Sequence, residues 1–110
     1  MDGATDGGVH ALSATTRLLD RAAAERLRDD LLQAAGRGAR TLVLDLGAVE
    51  VFDPIGLSVL LMTRRDVPAG VRIAIAALRP PGQTIARTMR LHEVFDIFAD
   101  VRAATLELSR

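Results

Sequence analysis

Asp45 and Asp53 bracket a short stretch, LGAVEVF, and are the two carboxylates of the chain best placed to act together. Paired acids beyond a buried strand could hold Mg²⁺ or divide the roles of acid and base. Local backbone chemistry accounts for them more simply. Asp53 precedes Pro54 and an apolar run, which is the position of a helix N-cap, and Asp45 can end a strand by accepting loop amides. The only histidines, His10 and His92, are far apart, and neither sits in a recognisable catalytic or zinc motif. His92-Glu93 lacks the second histidine of the helical metalloprotease pattern. The GRGAR stretch over residues 36–40 lacks the Gly-Lys-Ser/Thr ending of a phosphate loop and follows a helix pattern rather than a strand. No enzymatic chemistry, metal or cofactor is expected from these groups.

The elements that position them centre on residues 41–62, TLVLDLGAVEVFDPIGLSVLLM. Residues 41–46 are apolar on both faces, as in a central parallel strand covered by helices. Gly47 and Ala48 break the period, residues 49–52 are extended, and a helix begins behind Asp53. On that helix Leu57, Leu60 and Leu61 fall on one side, the expected core stripe. Ile55, Val59 and Met62 fall nearly opposite, with Ser58, Thr63, Arg64 and Arg65 as the polar interruptions. A chain of 110 residues has little material for a third layer, so the second stripe reads as a surface that meets a protein partner.

The remaining segments supply a scaffold. Residues 1–8 are rich in Gly and Asp and read as a disordered tail ahead of a single domain over 9–110. Residues 9–14 read as a short strand, and 15–19 fit either a loop or a second strand. Asp20 can cap an amphipathic helix over 21–35, with Ala23, Ala24, Leu27, Leu31 and Ala34 inward. Residues 71–78 read as a buried strand with Val71, Ile73 and Ile75 on one face and alanines on the other, which lets a helix approach closely. Pro80-Pro81 opens a helix over 82–90, Leu91, Val94 and Phe95 close the core, residues 97–98 form a last strand, and Asp100 caps a final helix through 108. This alternation gives an α/β fold: a small, mostly parallel mixed sheet of about four strands with interspersed helices.

The ordered set of LVLDL, FDPIGL before an apolar helix, LRPP, and LHEVFDIF resembles the STAS domain family of anti-sigma factor antagonists. The resemblance extends from about Leu19 to the C-terminus. Asp53, Gly56 and Leu57 match its Asp-Ser-Ser/Thr-Gly-Leu motif, whereas Pro54 and Ile55 do not. The family's phosphorylated Ser/Thr falls on Ile55, which has no hydroxyl. The resemblance implies a protein-interaction module of bacterial regulation, with an anti-sigma factor kinase as the expected partner and no phospho-switch at that position. Its partner-binding residues would be Asp53, Ile55, Gly56, Val59 and Met62. Other family roles also fit: a subunit beside a transporter ATPase, part of a stress-signalling assembly, or a small-ligand sensor.

Composition narrows the field further. Fourteen Arg, no Lys and 14 acidic residues balance to zero, which removes a general electrostatic drive toward nucleic acid. Three Phe with no Trp or Tyr make a poor stacking platform for bases. No cysteine is present, in keeping with a reducing cytoplasm, and no apolar run reaches the roughly 20 residues of a membrane span. A cytoplasmic protein with no membrane insertion is expected; self-association is left open.

Overall fold

The most apolar segment of the chain lies mid-sheet, where both faces of a strand are covered: Leu42, Val43 and Leu44 are fully buried. The computed structural model describes residues 3–6 and 8–109. In chain order its elements are β1 (Gly3–Asp6), β2 (Val9–Ser13), β3 (Leu18–Leu19), α1 (Arg21–Gly36), β4 (Thr41–Asp45), β5 (Val51–Phe52), α2 (Pro54–Asp66), β6 (Arg72–Ala76), α3 (Pro80–Thr88), a 3₁₀ turn (Leu91–Glu93), β7 (Asp96–Phe98) and α4 (Val101–Leu108). The main sheet has the order β1-β2-β4-β6-β7, and β3 with β5 forms a separate parallel pair. Strands β2, β4, β6 and β7 run parallel, with Leu42 opposite His10 on one side and Ile73 on the other. Helical crossovers between parallel strands follow from that topology.

The residues of β6 decide which helices cover which face. Ile73 and Ile75 join Leu42, Leu44 and the inward residues of α1, α2 and α3 in the larger core. Ala74 and Ala76, on the opposite face, meet Val43, Val9 and Ala104 of α4. Small side chains at these positions let the short α4 lie close to the sheet, as the alanine alternation of residues 71–78 requires. The α/β, mostly parallel architecture expected from the sequence is the one observed.

Three local readings need correction, and one left open is decided. Gly3–Asp6, read as part of a disordered tail, pairs antiparallel with β2 and shields its outer edge. Ladder bonds come from the backbone, so a Gly/Asp composition does not forbid them, and Gly8 at φ +83° sits in the turn between the strands. Met1, Asp2 and Gly7, the rest of that reading apart from Gly8, lie outside the described residues. The ambiguous stretch 15–19 yields a strand only at Leu18–Leu19. Helix α3 begins at Pro80 and ends at Thr88, because a proline at N1 loses no helical donor. Val94 is 37% exposed, so Leu91 and Phe95 alone close that end of the core.

Candidate functional site

The start of α2 is built by short polar bonds from its own sequence. Asp53 is its N-cap, with Oδ1 accepting the Ile55 N–H at 2.9 Å, and Pro54 follows at the first helical position. The approach to that cap is held from the side by the chain that leads into α1. Arg17 O accepts the N–H groups of Glu50 and Val51, and Leu19 O accepts that of Asp53. Gly56 lies against this same backbone: a Cβ there would overlap Leu19 O and press on Asp20 O. The Gly56 of the motif is therefore a close-packing glycine at the crossing of two helix N-termini, buried rather than presented to a partner. Of the residues read as partner-binding, it therefore offers little surface of its own.

Side chains tie the neighbouring loops to this platform. The Arg17 guanidinium forks onto Glu50 with contacts of 3.1 and 3.2 Å. It holds the Glu50 carboxyl below the usual carboxylate range, first through that hydrogen bond and then through its charge, with a further push from Arg79. Arg79 Nε in turn donates to Gly47 O at 2.9 Å, linking the loop after β6 to the loop after β4. Asp45 accepts the Gly47 N–H at 2.9 Å, the strand-ending bond read from the sequence. Arg17, Glu50 and Arg79 went unread in the sequence, because nothing in its periodicity brings residues so far apart to one place.

Helix α2 has the two faces that its spacing implies, with an uneven outer one. Leu57 and Leu60 are buried, and Leu61 packs partly against the same core. On the other side Ile55 is 57% and Met62 54% exposed. Val59 between them is half-buried and reaches the core. Thr63, counted among the polar interruptions, is fully buried; its hydroxyl donates to Val59 O at 2.8 Å, so no polar group is left bare. Ile55, Ser58, Val59 and Met62 form one wall of an open groove of about 570 Å³, whose other wall is α1. The rim is charged but internally paired: Arg21 with Glu25 at 3.2 Å, and Arg28 with Asp66 at 3.0 Å. Exposed pairs of this kind add at most about 1 kcal/mol each. The groove is thus apolar on the α2 side and close to neutral at its lip. At the far end of α2, Arg64 donates to the carbonyls of Val67, Pro68 and Val71 and fixes the turn into β6.

The two histidines stay apart from this site. His10 is on β2, and His92 is in the 3₁₀ turn. Among the described residues no group of three or more His, Cys, Asp or Glu is arranged to hold a metal ion. No helix among them is long and apolar enough to cross a membrane.

A mostly parallel sheet with three helices on one face, and a glycine-seated helix start beside it, defines a class of small α/β domains. The chain belongs to the STAS domain family, whose model matches residues 8–104. No curated protein matches it. Among solved structures it is similar to a candidate anti-sigma factor antagonist from Thermotoga maritima, with a TM-score of 0.82 at 17% identity over 99% of this chain and 94% of that one. The phosphorylated form of SpoIIAA, a Bacillus cell fate determinant, gives a TM-score of 0.69 at 17% identity over 97% of both chains. The murine anion transporter Slc26a9 gives 0.72 at 20% identity over 90% of this chain, which spans only 17% of the transporter. At such identities these likenesses speak for the fold.

Proposed function

We propose that this STAS domain is a protein-interaction module of the anti-sigma factor antagonist type, and that it docks its partner through the outer face of α2. The observation that carries this reading is the pair of large apolar side chains, Ile55 and Met62, left 57% and 54% exposed just beyond the capped start of α2. Isolated exposed apolar residues are ordinary, but two on one helix face beside an open groove form a surface worth covering. An anti-sigma factor kinase is the partner class that the family resemblance favours, and a complex in the cytoplasm follows from it.

Regulation would differ from that of a phosphorylated relative. Ile55 occupies the position of the family's modified Ser/Thr and offers no hydroxyl, so a phosphate cannot arrive there to disturb the contact. Ser58 is the nearest hydroxyl, half-buried in the groove wall one turn on. Incubation with an anti-sigma-type kinase and ATP tests this directly. Intact mass should stay unchanged, and stoichiometric phosphate mapped to Ser58 would contradict the reading. Partner docking itself is tested by affinity capture with the wild type beside an Ile55→Asp/Met62→Asp variant. The variant should lose the partner, and retention would place the contact elsewhere.

A further inference from the structure

We propose that the cavity of about 270 Å³ between α3, the 3₁₀ turn and β7 binds a small amphipathic anion, a carboxylate carried on a short apolar body. Its apolar lining is Leu78 and Ala86, both buried, and Ile97, 38% exposed on the edge strand. Its titratable lining residues are Arg87 and His92, and no acid lines it among the described residues. The acids of the surrounding elements are already engaged. Glu93 lies 4.0 Å from Arg90, Asp96 lies 3.1 Å from Arg72, and Asp100 caps α4 through the Ala103 N–H at 2.7 Å. Arg79, at the head of α3, is held by Gly47 O, and the Gln83 amide donates to Leu78 O at 2.9 Å. Arg87, which lines the cavity, has neither an acid nor a carbonyl on its guanidinium among the described residues.

An apolar cavity alone would accept any hydrocarbon, so the charge at its lip selects the occupant. A guanidinium without an internal counterion gains most from an anionic head, and a carboxylate matches its fork. The volume is just under the ~300 Å³ at which drug-sized ligand sites begin, which limits the body to a fragment-sized chain or ring. The turn carrying His92 to the cavity starts from Arg90, held at a left-handed φ of 56°. No residue of α1 or α2 lines this site, so it stands apart from the docking face and does not depend on it.

Amide-resolved NMR of the full chain tests the assignment with sodium hexanoate, 1-hexanol and sodium acetate as probes. Hexanoate should give saturable shifts centred on Ala86, Arg87, His92 and Ile97, with hexanol and acetate each at least about tenfold weaker. Arg87→Gln, on an exposed position, should keep a folded spectrum and weaken hexanoate by about tenfold, while Arg87→Lys restores part of the affinity. Equal binding of hexanol, indifference to Arg87→Gln, shifts centred on the α1–α2 groove, or no saturable shift would each overturn the proposal. An acidic peptide that binds more tightly, with shifts spreading beyond the cavity, would overturn the small-molecule assignment.

Discussion

Asp53 and Gly56 sit three residues apart and do opposite kinds of work. Asp53 contributes one hydrogen bond to an otherwise orphaned donor, so Asp53→Ala should lower stability by about 1 kcal/mol in urea melts. Gly56 contributes an absence, since backbone fills the space a methyl would need. Gly56→Ala should cost more, about 1–3 kcal/mol, by pushing the α2 start away from Leu19 and Asp20. If both melts moved equally, the close-packing role of Gly56 would be wrong. Glu50 supplies the pH test at this scale. Its folded carboxyl titrates below its unfolded value, so the Arg17 contact contributes stability above the unfolded pKa and loses it as pH falls through the folded one. The pair is solvent-exposed and the effect on the melt is small, so the direct readout is the side-chain carbon titration by NMR. Arg17→Gln should return Glu50 toward the usual carboxylate range; an unmoved titration would show that Arg17 does not govern it.

At the scale of the element, α2 separates residues that hold the fold from residues available to a partner. Leu60→Ala removes a buried side chain and should cost about 2–4 kcal/mol, whereas Met62→Ala should stay within about 0.5 kcal/mol. Paired denaturant curves check the contrast. Val59 is a poor probe for docking, because it touches the core as well as the groove, and Val59→Asp would lower stability and any affinity together. The helical period distinguished the inner from the outer side of α2 in the sequence, and the cap at Asp53 was equally legible, because both are local properties of the chain. The period could not say that a neighbouring helix half-covers Val59. Nor could it show that Thr63 hides its hydroxyl on the preceding turn, since that bond lets a polar residue enter the core. Burial of Gly56 was illegible for the same reason: it depends on where the backbone of residues 19–20 passes.

At the scale of the molecule, the parallel alternation and the two unlike faces of β6 followed from composition: isoleucines on the side that α1, α2 and α3 cover, alanines on the side that α4 approaches. The edge strand Gly3–Asp6 did not, because edge pairing needs only backbone groups and leaves no apolar pattern to read. On the proposed reading, the contacts of Leu19 and Arg17–Glu50 hold the approach to α2, Arg79–Gly47 ties the neighbouring loops, and Ile55 and Met62 are thereby positioned for the partner. The most direct test of this account is the dissociation constant of the captured partner for purified wild type and Met62→Asp, measured beside thermal melts, with the still more exposed Leu106→Asp on α4 as control. An unpaired carboxylate trapped in the contact should weaken binding by about a hundredfold or more, with melts unchanged and the control binding normally. Undiminished affinity in a folded Met62→Asp variant would contradict docking through the outer face of α2.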